Sequence, residues 1–255
     1  MSHLFAITGK GGVGKTTLSA IIVRQLIKNN FSPVLAIDAD PNACLDAALG
    51  VSATGTVGRA REEVREEGDA AAKSGISKQE LFQLKIAESL VEAENFDLIA
   101  MGRPEGAGCY CYANNVLKSV ISEISGEYPF VVLDNEAGLE NLSRRIVSKV
   151  DTLILVSDAS ASGLKTLARL HALAVEMGVE YKHLTLAVNR LRGELPAAAK
   201  EIAESVDADE ILALPDDGEV ASFAEESKSM LDLTESNDFV SIVNNWIKNH
   251  ILKSD

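Results

Sequence analysis

Residues Gly9 to Thr16 spell GKGGVGKT, a glycine-rich octet that meets the spacing G-x-x-x-x-G-K-[ST] at every required position. The chemistry such a loop suits is phosphate binding. Glycines let the backbone turn tightly and approach a ligand without side chains in the way. Successive N–H groups then face phosphate oxygens, aided by the N-terminus of the helix that follows. The Lys15 ammonium would reach the β and γ phosphates, and the Thr16 hydroxyl would bind Mg²⁺. Gly9, Lys10, Gly11, Gly12, Val13, Gly14, Lys15, Thr16 and Thr17 are therefore the expected contacts for ATP or ADP. A glycine turn formed by chance would not also have a strand before it and a helix after it.

Cys109 and Cys111, two of the three cysteines in the chain, form a second group with chemical potential. Residues i and i+2 of a strand point to one side, and a tight loop can also make them converge. Two thiolates do not complete a four-coordinate metal shell, but a two-fold dimer brings the same pair from each subunit. Four thiolates suit Zn²⁺ when tetrahedral and Ni²⁺ when square planar. Buried structural cysteine is a weaker reading beside Gly106 and Gly108, where apolar periodicity stops. A disulfide between i and i+2 is strained and unexpected in the cytosol. Shared metal ligation is preferred, with the choice of metal open. Cys44 reads as a small residue packed close to Asp40.

The elements that must position these residues follow from hydrophobic patterning. HLFAIT, SPVLAID, FDLIAMG, FVVLDN, DTLILVS, HLTLAVN and EILALP are short apolar runs, as expected of strands buried on both faces. The phosphate loop feeds a helix over GKTTLSAIIVRQLIKN. Alternation of such runs with helices predicts an α/β fold, a doubly wound, mainly parallel sheet flanked by helices, in one domain over 1–255. Between Thr56 and Asn95, GRAREEVREEGDAAAKSG predicts an exposed helix laced with ion pairs. Near the end, Phe239, Ile242, Val243, Trp246 and Ile247 share one helical face, as in a helix packed on the domain.

Composition removes several functions. The formal net charge is −14, opposite to that of a free nucleic-acid binder and unsuited to anionic membranes. No apolar run is long enough to span a bilayer, and the first residues lack the features of a signal peptide. Sparse cysteines fit the cytoplasm. Neither nucleic acid nor membrane is an expected partner.

The second lysine of the loop, Lys10, makes the pattern K-G-G-x-G-K-T. It resembles the deviant Walker A group of P-loop NTPases, which includes MinD, ParA and the nitrogenase iron protein. The resemblance implies that Lys10 crosses to the nucleotide of a partner subunit as ATP closes a homodimer. It implies that Asp40 positions or deprotonates the attacking water and that Asp38 supports Mg²⁺ through water. Within FVVLDNEAGLENLS, Asp134 would hold the Mg²⁺ shell and Gly138 would offer its N–H to the γ-phosphate. Asn189 and Arg190 in LAVNRLR, with Pro215 in ALPDDGEV, would flank the adenine. Lys10, Lys15 and Asp40 are thus the expected catalytic residues of a Mg-dependent ATPase.

GRPEGAGCYCYANN, following the third main strand, resembles the CooC-type nickel-insertion ATPases that mature carbon monoxide dehydrogenase, and the related factor of acetyl-CoA synthase. That resemblance implies Ni²⁺ or Zn²⁺ on Cys109 and Cys111 at a dimer interface, with one of those enzymes as client. A bridging iron–sulfur cluster is disfavoured, because Asp134 to Ser148 contains no cysteine. The alternative is a positioning ATPase of the MinD or ParA type, which would need a membrane helix or a basic surface.

Overall fold

The computed structural model describes residues 2–103, 118, 121, 124–136 and 149–252. Eight strands form one sheet in the order β3-β4-β2-β5-β1-β6-β7-β8. They are β1 (His3–Gly9), β2 (Val34–Asp38), β3 (Val91–Glu92), β4 (Phe96–Ala100), β5 (Phe130–Asp134), β6 (Lys149–Asp158), β7 (Glu180–Leu191) and β8 (Glu210–Pro215). Every neighbouring pair is parallel except β3 with β4. All seven predicted strands are present. The two-residue β3 carries no periodic signal, and β6 and β7 run longer than their apolar cores. Pairing explains the extra length: polar ends such as Lys149 and Glu180 stand in register with each other.

Continuous apolar strands arise because each face of the sheet is covered. Along β1, Leu4 and Ala6 join one core while Phe5 and Ile7 join the other. The same alternation holds in β6, where Leu153 and Leu155 face one way and Ile154 and Val156 the other. One face is covered by α1 (Lys15–Lys28) and α8 (Asp238–Leu252). The opposite face is covered by α5 (Ala161–Glu176) and α6 (Ala197–Ser205), with Val57, Ala60 and Ile86 from α3 (Val57–Lys73) and α4 (Lys78–Ser89). Ile22 of α1 is fully buried, so Ile22→Ala should cost about 2–5 kcal/mol.

The helices begin and end where local chemistry directs. Ser77 and Glu80 form a reciprocal capping box on α4. Ser160 caps α5 through the Gly163 N–H, and Asp217 caps α7 (Gly218–Glu225) through Val220. The α1 helix ends at Asn30, whose φ of 63° reverses the chain and lets the Phe31 N–H reach the Leu26 carbonyl. Arg24, buried in α1, donates to the carbonyls of Leu231 and Leu233 and to Glu235, tying the segment before α8 to α1. As predicted, α8 buries Phe239, Val243, Trp246 and Ile247, with Ile242 packed beside them. On α3 the expected ion pairs form: Arg59 with Glu63 at 3.0 Å and Arg65 with Glu62 at 2.9 Å. Lys85 of α4 adds a bridge to Glu63 at 3.2 Å.

At the N-terminal edge of the strands, three of the chain's four histidines converge from β1, β7 and α8. The Thr152 hydroxyl contacts His3 Nε2 at 2.9 Å and His250 Nε2 at 2.6 Å, and the His183 ring lies 4.9 Å from that of His250. Burial lowers the pKa of His3 to about 4; the neighbouring Asp151 opposes the shift.

Candidate functional site

The residues with catalytic potential gather at the other edge of the sheet, where parallel strands deliver their carboxyl ends. Asp38 ends β2, Asp134 ends β5 and Gly9 ends β1, with Asp38 and Asp134 directly in register. Ligands of open α/β sheets bind at this edge.

The phosphate-type loop leaves β1 and enters α1 through Gly14, which takes φ 92° as the helix N-cap. A side chain there would be strained by that φ, and its Cβ would lie 2.5 Å from the Asn189 amide nitrogen. Asn189 is what fixes the loop from the β7 side. Its Nδ2 donates to the Val13 carbonyl at 2.9 Å, and its Oδ1 accepts the Arg190 N–H at 2.8 Å. The sequence set this amide beside the adenine; in the structure both of its ends hold backbone. Arg190 itself is exposed with φ 57°, and Pro215 ends β8 opposite Leu191.

Two lysines of the loop are placed very differently. Lys15 is buried, and its Nζ donates to the Lys10 carbonyl at 3.4 Å. Burial lowers its pKa, while Asp134, Asp40 and Glu136 pull the other way. Lys10 is exposed, its ammonium free of the fold's interior. Thr16 and Thr17 open α1, each half-buried.

Asp134 is fully enclosed, and burial together with the nearby Asp38 raises its pKa to about 7. The hydroxyls of Thr16 and Ser19 and the Lys15 ammonium oppose that rise. None of them closes a hydrogen bond on Asp134 Oδ1, which has no partner among the described residues. Burial likewise raises Asp38 to about 6. Its two oxygens accept the N–H groups of Asp40 at 2.9 Å and Leu45 at 2.8 Å, so it pins the loop after β2. An orphaned buried oxygen, a second buried carboxylate and a threonine hydroxyl make a donor set suited to a hard divalent cation such as Mg²⁺.

Asp40 is half-buried, and its Oδ1 accepts both the backbone and side-chain N–H groups of Asn42. Cys44 departs from expectation. It stands exposed at the N-cap of α2 (Leu45–Ala48), near the Asp40 carboxylate but not packed away from solvent. The short helix turns Leu45 inward and leaves position 44 outside. Partial burial and the surrounding carboxylates of Asp38, Asp40, Asp134 and Asp46 raise its pKa, which disfavours the reactive thiolate. Cys109, Cys111 and Gly138 lie outside the described residues. Among the described residues no cluster of histidine, cysteine or carboxylate suits a transition metal.

Residues 3–183 match the AAA_31 family, described as an AAA domain. The chain belongs to this family of P-loop ATPases, of the MinD/ParA kind. An uncharacterized ATP-binding protein of Methanocaldococcus jannaschii is 39% identical to the ATPase over 92% of this chain and 93% of that protein. The carbon monoxide dehydrogenase accessory protein CooC of Rhodospirillum rubrum is 32% identical over 69% of this chain and 70% of its own length. Among solved structures, the septum site-determining protein MinD of Pyrococcus horikoshii, complexed with Mg-ADP, superposes with a TM-score of 0.68. It is 19% identical and 98% of each chain is covered.

Three residues of the ATPase site escaped sequence reasoning. Asn135, buried beside Asp134, donates from backbone and side chain to the Ile7 carbonyl, joining β5 to β1. Glu136 lies close enough to Lys15 to affect its charge. Asp158, in register with Asn189, accepts hydrogen bonds from Ser160 and lies in the positive field of Lys10 and Arg190. Their carboxylates and amide at strand ends were the available signal.

Proposed function

We propose that this chain is an ATP-hydrolysing metallochaperone of one domain, acting in the cytoplasm as a nucleotide-gated homodimer. It would deliver nickel, or hold zinc, for carbon monoxide dehydrogenase or acetyl-CoA synthase. The nucleotide half rests on Asp134 Oδ1, an oxygen buried without a partner among the described residues, beside a buried lysine in a phosphate-type loop. The metal half rests on Cys109-x-Cys111 in a chain 32% identical to a carbon monoxide dehydrogenase accessory protein.

In this reading the backbone from Gly9 to Thr17 wraps the phosphates and Lys15 neutralises their charge. Bound Mg²⁺ would supply further stabilisation of charge on the phosphates, held by Thr16 with Asp38 and Asp134 in support. Asp40 orients the attacking water and accepts its proton. Lys10 reaches across to the partner's phosphates, which its exposure permits, and Gly138 offers a backbone N–H. Asn189, Arg190 and Pro215 border the base. Cys109 and Cys111 of two subunits share one ion as cargo.

The test separates the two halves. Wild-type protein with Mg-ATP should release phosphate and Lys15→Ala should not. Apo protein should bind roughly one Ni²⁺ or Zn²⁺ per dimer. The Cys109→Ala, Cys111→Ala double variant should lose that metal and keep ATP binding; undiminished metal would end the metallochaperone reading. The second reading, a positioning ATPase, is supported by the MinD likeness in fold. It predicts ATP-dependent sedimentation with liposomes. No described helix is long and apolar enough to cross a membrane, which leaves peripheral binding as the behaviour to measure.

A further inference from the structure

The loop after β2 and the exit of β4 are joined by a hydrogen bond spanning 61 positions of sequence: Arg103 Nη2 donates to Asn42 Oδ1 at 2.5 Å. Asn42 in turn donates twice to Asp40 Oδ1, at 2.8 Å from its backbone N–H and 2.9 Å from its side-chain amide. We propose that Arg103 and Asn42 are positioning residues that orient the Asp40 carboxylate for the attacking water.

The chemistry of the amide makes the relay directional. An asparagine has a donating end and an accepting end, and only the donating end can satisfy a carboxylate. Arg103 has donors only, so it must occupy the Asn42 oxygen and thereby turn the Asn42 nitrogen toward Asp40. Without the guanidinium, nothing in the pair prevents the amide from rotating to water and releasing one of the two bonds on Oδ1.

Arg103 can perform this task because the backbone beneath it is fixed. The Met101 N–H donates to the Asp38 carbonyl at 2.8 Å, and the Met101 carbonyl accepts the Gly58 N–H at 2.9 Å. Gly102 then turns the chain with φ 63°, with the Thr56 side chain 2.5 Å from where a Cβ would stand. The turn therefore admits only glycine and sends Arg103 outward over the Asn42 loop. Both side chains are exposed, so their removal leaves the core intact.

The inference rests on the reading that this chain hydrolyses ATP with Asp40 at the water. Steady-state phosphate release by full-length protein with Mg-ATP tests it. Arg103→Ala and Asn42→Ala should each lower kcat about tenfold to a hundredfold, the scale of a misplaced catalytic group, with KM for ATP little changed. The double variant should be no worse than either single one, because both break the same relay. Arg103→Lys, which keeps a cationic donor on a shorter head group, should recover part of the rate. Unchanged kcat in Arg103→Ala, or losses that multiply in the double variant, would overturn the relay while leaving hydrolysis in place. A wild type no faster than Lys15→Ala would overturn the hydrolysis reading and the relay together.

Discussion

Strands β1 and β6 run between two clusters of ionisable groups with opposite character. At their N-terminal ends, His3, His183 and His250 surround the Thr152 hydroxyl, and Asp151 accepts the Leu4 N–H at 2.8 Å and the Lys182 ammonium at 2.6 Å. One hydroxyl has a single proton to give, so at least one of the two imidazoles touching it must be the donor. Those bonds all come from within the chain, although the indole N–H of the nearby Trp246 is buried with no partner among the described residues. At the carboxyl edge, buried Asp134 Oδ1 has no partner among the described residues, and Asp38, in register beside it, is a second raised carboxylate. Polar burial at one end serves the fold, whereas at the other it leaves a deficit of positive charge that a cation would relieve.

The largest expected effect concerns chemistry at the carboxyl edge alone. Lys15→Ala should lower phosphate release by at least about a hundredfold, since the proposed mechanism sets that charge against the reacting phosphates. Far-UV circular dichroism should be unchanged. Comparable rates in the two proteins would show that the buried lysine serves stability, like the histidines below it.

The comparison sharpens in the response to pH. The pKa of Asp134 is raised from 3.8 to about 7, so the folded chain binds more protons than the unfolded one in that window. Its contribution to metal-free stability is therefore lost as pH rises from about 4 to about 7. Asp134→Asn should raise the apo Tm at pH 8, by about 2–4 °C for each kcal/mol relieved in a chain of this size. The same variant should lose the added stabilisation from Mg-ATP. Scanning calorimetry with and without Mg-ATP reads both; a lower apo Tm would mean that the orphaned oxygen is not a liability.

His3 gives the opposite sign. Its pKa is lowered from 6.5 to about 4, so the unfolded chain binds more protons between those values. Stability should rise with pH from about 4 to about 6.5 and be lost as pH falls through that window. His3→Gln should flatten this acid limb without touching phosphate release. Trp246 is the chain's one tryptophan and its ring centroid lies 5.3 Å from that of His250, so its fluorescence reports the cluster directly. An acid transition of equal size in the variant would place the titration elsewhere.

The smallest effect belongs to the tether between β7 and the loop. Asn189→Ala removes the bond to the Val13 carbonyl and should weaken ATP binding by about 1 kcal/mol, roughly fivefold. Isothermal titration would detect it. A loss above a hundredfold would indicate direct contact with nucleotide.

Much of the fold was legible because the interactions that form it are local or periodic. Phe5 and Ile7 alternate with Leu4 and Ala6 whatever covers them, and a double-faced apolar run already implies helices on both sides. The loop from Gly9 to Thr16 was legible for the same reason, since its conformation depends on glycines within the octet. Cys44 was misread, because nothing nearby in sequence tells whether the turn before α2 faces in or out. The polar ends of β6 and β7 were missed because they are strand only by virtue of each other.

The order of residues by itself determined a phosphate-type loop between strand and helix, carboxylates at the ends of apolar strands, and a Cys-x-Cys pair. Tertiary structure alone decided which of those carboxylates is left unpartnered, that Asn189 grips a loop 176 positions away, and that Arg103 reaches Asn42. The physical reason is distance along the chain. Periodicity and glycine content act over a few residues, whereas burial and hydrogen-bond satisfaction depend on which strands become neighbours in the sheet.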